Sequence, residues 1–254
     1  MTVTSGPATA PQSFWRAVYA DLFLGYTRFE KIFYPALILL QVVFAIAYPT
    51  GIVGSIIAIS GTICVALVGK GRISNYFFGV IQNVLYFWLS LQAVFYGEVM
   101  ISVFYVLTQF WGLYTWRKNL TPAASSSAAA DSATKTEPRD VLTRRIGIVG
   151  WLAILAILAA GTWLYGLLLQ ELNSNQPFID SFTTVIAVIA QILMVYRFRE
   201  QWLLWITLNL AQIVLWLTSS EPGSLDIVVM YIAFIFNSVY GWYNWSKLSK
   251  PVSA

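Results

Sequence analysis

Thirteen side chains with hydrogen-bonding or aromatic chemistry sit inside long apolar runs of this chain. They are Gln82, Asn83, Gln92, Gln109, Gln191, Asn209, Gln212 and Asn237, interleaved with Trp202, Trp205, Trp216, Tyr231 and Tyr240. Each amide offers two donors and an acceptor, and the rings offer flat faces for stacking. Nothing among them ionises near neutral pH, so the chemistry available is recognition and not proton transfer. Trp205 and Asn209 are four residues apart, which puts them on one face of a helix. Polar groups inside apolar spans face a bundle interior or a water-filled path, or they tie helices together by hydrogen bonds. At this level both readings stand for Asn83 and Asn209.

Catalytic alternatives are poorly supplied. The chain has no histidine and a single cysteine, Cys64, so the commonest metal ligand and acid–base group is missing and a multi-cysteine metal site within one chain is excluded. No buried acid pair is evident, and neither an enzyme nor a bound cofactor or metal is expected. A retinal photoreceptor would need a lysine in mid-helix for its Schiff base, yet every lysine lies in a loop or at a helix end.

The elements that must position these groups follow from composition. Of 254 residues, 58% are hydrophobic and 10% charged, far from the usage of a soluble domain. With a spanning helix needing roughly 20 apolar residues, eight spans are predicted: Ile32 to Tyr48, Gly51 to Gly69, Asn75 to Tyr96, Val99 to Trp116, Ile146 to Leu169, Asp180 to Tyr196, Trp202 to Thr218 and Leu225 to Trp245. The fold class is an all-α integral membrane protein in a lipid bilayer. Residues 1–31 read as a polar tail followed by an amphipathic helix lying in the inner interface. Residues 119–145, NLTPAASSSAAADSATKTEPRDVLTRR, read as a flexible linker. Prolines 35, 49, 177 and 222 fall at helix ends, and Gly54, Gly61 and Gly79 are places for bending or close packing.

Charge sets direction. If the helices alternate from a cytoplasmic N-terminus, all 15 basic residues fall on the inner side, while Glu98, Glu171, Asp180, Glu221 and Asp226 fall outside with no Lys or Arg among them. Retention of positive residues in the cytoplasm is what orients membrane proteins. Both termini are therefore expected inside. The net charge of +4 is scattered among loops, which argues against a nucleic-acid-binding face.

The chain also repeats itself. Gly112-x-Tyr114-x-Trp116-x-Lys118 matches Gly241-x-Tyr243-x-Trp245-x-Lys247, each closing the third helix of a trio. Asn75-Tyr76 followed by Asn83 matches Gln201-Trp202 followed by Asn209. The trios 51–118 and 180–247 run in the same direction, so a single helix, 146–169, must invert the chain between them. With the extra helix 32–48 in front, the layout is one plus three, one and three, similar in arrangement to SWEET-type sugar carriers. Trp116, Tyr243 and Trp245 are expected to lie in an interfacial aromatic belt.

Beyond layout, Ile73-Ser-Asn-Tyr-Phe-Phe-Gly79, Gln201-Trp-Leu-Leu-Trp205 with Asn209, and the paired Gly-x-Tyr-x-Trp ends resemble the PnuC family of bacterial vitamin transporters. The resemblance covers Gly51 to Lys247. It implies uptake of nicotinamide riboside through the bacterial inner membrane, with thiamine or riboflavin as alternative cargoes and a SWEET-type sugar as the rival. It implies that the cleft between the trios binds the vitamin through Trp202, Trp205, Asn209 and Gln191, to which Asn83, Gln109, Asn237 and Tyr240 are added as candidates. It allows a homotrimer and implies a cytoplasmic kinase that traps the cargo by phosphorylation. Such a cargo suits these residues: an aromatic face attracts a cationic pyridinium by about 0.5–2 kcal/mol. With no Lys, Arg, Asp, Glu or His near mid-depth to relay protons, facilitated diffusion by alternating access is expected.

Overall fold

The computed structural model describes residues 14–47, 51–92, 96–120, 139–171, 177–217 and 224–248, with side chains left undescribed at 51, 89, 90, 92, 96–98, 180, 215–217 and 224–230. The expectations for Pro49, Gln92, Glu98, Asp180, Trp216, Glu221, Pro222 and Asp226 lie outside the described residues. Among those described, the fold is all-helical: α1 (Phe14–Phe23), α2 (Glu30–Ala47), α3 (Gly51–Lys70), α4 (Asn75–Gln92), α5 (Tyr96–Arg117), α6 (Ile148–Glu171), α7 (Pro177–Val195), α8 (Gln201–Leu217) and α9 (Ser224–Leu248). Among the described residues, five helical segments are long and apolar enough to cross a membrane: Glu30–Ala47, Ile52–Lys70, Val99–Arg117, Ile148–Glu171 and Pro177–Val195.

Helix α2 begins two residues before the apolar run does. Thr27 and Glu30 form a reciprocal capping box, with the Thr27 N–H donating to Glu30 Oε2 at 2.6 Å and the Glu30 N–H to Thr27 Oγ1 at 3.2 Å. Pro35 therefore lies inside the helix and not at its end, and it deprives the Lys31 carbonyl of its usual donor. The amphipathic segment is also shorter than its sequence suggests, stopping at Phe23 before Gly25, whose φ is 73°. Asp21 then accepts from the Ser74 N–H at 2.8 Å, and Arg72 donates to the Leu24 carbonyl at 3.0 Å. These bonds fasten α1 to the turn between α3 and α4.

Helices α3, α4 and α5 pack in series, as do α7, α8 and α9; α2 lies on α3 and α6 on α7. The two trios meet at α3 with α9 and at α5 with α7, so the first helix of each touches the third of the other. The turns that follow α3 and α7 are built alike. Gly71 and Arg197 are left-handed, φ 80° and 66°. Gly71 N–H reaches the Val68 carbonyl and Arg72 N–H the Leu67 carbonyl, as Arg197 N–H reaches Met194 and Phe198 N–H reaches Leu193, all at 2.9 Å. Both are Schellman caps.

The repeated Gly-x-Tyr-x-Trp ends do not serve as an interfacial belt as a whole. Tyr243 is exposed, but Trp116 and Trp245 are fully buried. Gly112 leaves the room that the Tyr76 ring occupies, and Gly241 that of Trp202; a Cβ at either would come within 2.5 Å of the ring. Small residues thus let an aromatic enter between helices, which is how helices associate closely where solvent cannot drive them together. Tyr76, Trp116, Trp202 and Trp245 form one cluster with Cys64, Val68, Val141 and Met194.

Candidate functional site

A cavity of about 280 Å³ lies between the trios. All six of their helices line it: Gly61, Cys64, Val65 and Val68 from α3, Gln82 and Asn83 from α4, Tyr105 and Gln109 from α5, Gln191 and Met194 from α7, Trp202, Trp205, Leu208 and Asn209 from α8, and Tyr231, Phe234, Asn237 and Ser238 from α9. Nothing from α1, α2 or α6 is among them. Among the described residues, the lining carries amides, hydroxyls and aromatic rings, and no charged side chain.

Seven of the eight residues expected at a site are brought together here: Asn83, Gln109, Gln191, Trp202, Trp205, Asn209 and Asn237. Tyr240 is not. Its hydroxyl donates to Glu30 Oε1 at 2.8 Å and its ring packs beside Phe29 and Phe33 at 5.2 and 5.3 Å. One helical turn beyond Asn237, its side chain turns toward α2 and away from the cavity. Glu30 is also held by Lys70 at 2.7 Å, so this buried pair joins α2 to α3 and α9.

Two cross-trio hydrogen bonds frame the cavity. Gln191 Nε2 on α7 donates to Thr108 Oγ1 on α5 at 2.9 Å, and Asn237 Nδ2 on α9 donates to the Val65 carbonyl on α3 at 3.2 Å. These two amides are therefore partly engaged in joining helices. Asn83 likewise bonds the Gly79 carbonyl within its own helix at 2.7 Å. Other polar atoms remain without a protein partner: Gln109 Oε1, Asn237 Oδ1 and Trp202 Nε1 are buried and unsatisfied. Leaving such groups unpaired is costly, and a polar ligand would satisfy them.

Helix-interior glycines place two of the amides. A Cβ on Gly79 would come within 2.6 Å of Gln109 Oε1, and one on Gly61 within 2.7 Å of Gln82 Nε2. This is the close packing expected of Gly61 and Gly79, and it brings into the wall Gln82, which was not among the expected binding residues. Trp205 is half-buried with its indole N–H on Gln201 Oε1 at 3.3 Å, while Trp202 is buried edge-on against Trp245. Trp205 offers the more accessible aromatic face. Tyr105, Tyr231, Phe234 and Ser238 complete the wall. The spacing of Ser238 next to Asn237, and of Tyr105 one turn before Gln109, could have suggested them.

Outside the spans, burial pushes the Tyr26 hydroxyl up to about 12 despite the opposing Arg72 charge. Burial also raises the Asp140 carboxyl above the usual carboxylate range, again against the pull of Arg72.

Comparison with known proteins agrees with this architecture. Residues 51–247 match the family model described as nicotinamide mononucleotide transporter. The chain is 37% identical over 234 residues to the nicotinamide riboside transporter PnuC of Neisseria mucosa, covering 91% of this chain and 85% of that one. It is 37% identical over 227 residues to the protein of the same name from Haemophilus influenzae, covering 89% and 93%. A crystal structure of the vitamin B3 transporter PnuC superposes with a TM-score of 0.76 at 36% identity, covering 93% of this chain and 97% of the other. A cavity between two helical trios, closed to α2 and α6 and lined without charge, is thus set in a multi-pass membrane protein that belongs to the PnuC transporter family.

Proposed function

We propose that this protein carries nicotinamide riboside into the cell across the inner membrane. The observation that carries the reading is the cavity itself: unsatisfied amide and indole groups beside the open face of Trp205, with no charged side chain in the wall. A pyridinium ring stacks on Trp205, and its carboxamide and ribose hydroxyls pair with Gln82, Gln109 and Asn209. Two relatives that bear the name of nicotinamide riboside transporters support the cargo.

The family model is named for the mononucleotide. A phosphate would have to leave water for a wall without Lys or Arg, and an unpaired charge in such a place is expensive. The riboside fits and the mononucleotide does not. The same argument supports trapping: once a cytoplasmic kinase phosphorylates the cargo, the cavity no longer accepts it.

Eight spans, cytoplasmic termini and a duplicated core complete the proposal. The core comprises trios 51–118 and 180–247, with 146–169 inverting the chain between them and 32–48 as the added helix in front. The likeness of the turns at Gly71 and Arg197, and of the Tyr76–Gly112 and Trp202–Gly241 contacts, supports the duplication. Transport proceeds by facilitated diffusion, the trios rocking about the cavity. Titration calorimetry of the purified protein tests the cargo. Heat of binding is expected with nicotinamide riboside and none with its mononucleotide, thiamine, riboflavin or glucose; binding of the mononucleotide as tight as the riboside would refute the reading.

A further inference from the structure

Residues 139–146, part of a stretch whose composition suggests a loose linker, are bonded to the ends of both trios. The Val141 N–H donates to the Gly71 carbonyl at 2.9 Å and the Leu142 N–H to Asn119 O at 2.9 Å, both in the first trio. The Arg144 N–H donates to the Arg197 carbonyl at 2.8 Å, its own carbonyl accepts from Arg199 N–H at 3.0 Å, and Thr143 Oγ1 donates to Trp245 O at 2.7 Å, all in the second. Side chains reinforce the seam: Arg72 pairs with Asp140 at 3.0 Å, Arg197 donates to the Leu142 carbonyl at 3.0 Å, and Glu200 accepts from the Ile146 N–H at 3.1 Å.

The segment meets the two like turns in a like way. Gly71 and Arg197, the left-handed residues, each turn a carbonyl outward, and Val141 and Arg144 each take one. Val141 is 0% exposed and packs into the cluster of Tyr76, Trp116, Trp202 and Trp245. That cluster is continuous with the cavity, because Cys64, Val68, Met194 and Trp202 belong to both. One end of the cavity is therefore closed by two layers, an aromatic floor and a backbone strap beneath it.

We infer that residues 139–146 form the latch of the cavity at this end, holding α3 to α9 and α5 to α7 until the trios part. To release cargo here the trios must separate, and a strap bonded to both must let go of at least one. Since it leads directly into α6, the inverting helix then moves with whichever trio keeps its hold. The inference rests on the alternating-access reading but not on the identity of the cargo.

The test uses the chain's own Cys64, which lines the cavity. In a membrane preparation of each sidedness, a membrane-impermeant methanethiosulfonate is applied and labelling of Cys64 is timed in the parent protein, Val141→Gly and Thr143→Val. Loss of the Thr143 hydrogen bond favours the open form by about fivefold, so labelling from the strapped face is expected to rise about fivefold in Thr143→Val and at least as much in Val141→Gly, which empties a buried position. An unchanged rate, in protein that remains monodisperse in detergent, overturns the latch. Should the variants not fold, paired staples decide: Leu120→Cys with Val141→Cys and Arg144→Cys with Phe198→Cys, in a Cys64→Ser background, following the two strap bridges. Uptake lost on oxidation and restored by reduction supports the latch; uptake indifferent to oxidation overturns it. Because labelling requires no cargo, failure of the riboside assignment leaves its outcome readable.

Discussion

Trp116 and Trp245 each reach across to the other trio. The Trp116 indole N–H donates to the Met194 carbonyl at the end of α7 at 3.1 Å, and that of Trp245 to the Val68 carbonyl at the end of α3 at 2.7 Å, with the rings 5.5 Å apart. Replacing either by Phe keeps most of the ring and removes the donor. Each single change is expected to lower stability by about 1–2 kcal/mol, measured by thermal unfolding in detergent. Because the rings touch, the double variant should depart from the sum of the singles.

Gly79→Ala brings a methyl group against the Gln109 amide, and Gly61→Ala does the same to Gln82. Neither site faces a bulky backbone neighbour, so the amide moves and the fold persists. Binding is expected to weaken by about tenfold in each, the loss of roughly one well-placed hydrogen bond to cargo. Calorimetry beside a melting curve separates this from unfolding; unaltered affinity in both would show that these amides do not touch the cargo.

Trp205→Ala removes the accessible ring and Asn209→Ala the amide one turn away. Binding should fall by up to about thirtyfold in the first and by about tenfold in the second, while Trp205→Phe retains part of the affinity. Tyr240→Phe, by contrast, is expected to leave affinity within about twofold and to lower stability by about 1 kcal/mol, because its hydroxyl serves Glu30.

Glu30→Gln leaves Lys70 buried without its counter-charge. Breaking a buried pair from one side costs about 3–5 kcal/mol. The double change Glu30→Gln with Lys70→Met should recover much of that loss, as read by thermal unfolding. Equal instability in single and double variants would mean that the ion pair is not what α2 contributes.

Uptake into proteoliposomes should not respond to an imposed proton or sodium gradient, since no Lys, Arg, Asp, Glu or His is among the described residues that line the cavity. A gradient-driven accumulation above the external concentration would replace facilitated diffusion with coupled transport.

Hydropathy and the pairing of Gly112 with Gly241 made the helical trios legible in the sequence, and five candidate amides meet in one cavity, beside Trp202 and Trp205, because amides in apolar spans have few places to go. Direction around a helix was harder to read. Tyr240 is one turn from Asn237, yet an ion pair on α2, distant in sequence, draws it away. The indoles of Trp116 and Trp245 close their helices as belt residues do, and what makes them interior is tertiary: each is fully buried with its N–H on a carbonyl of the other trio. The order of residues 139–146 was invisible to composition, because it rests on backbone groups that every sequence possesses. The start of α2 was signalled by Thr27-x-x-Glu30, a signature outweighed by the apolar run that follows.

Gly79 and Trp205 occupy matching places in the two trios, each four residues before an asparagine that lines the cavity, yet one has no side chain and the other has the largest. If the trios arose by copying, the hollow between them owes its shape to that mismatch. Ancestral symmetry would serve the hinge and its later loss the appetite, so a change of cargo could come from editing one copy while the fulcrum stayed untouched.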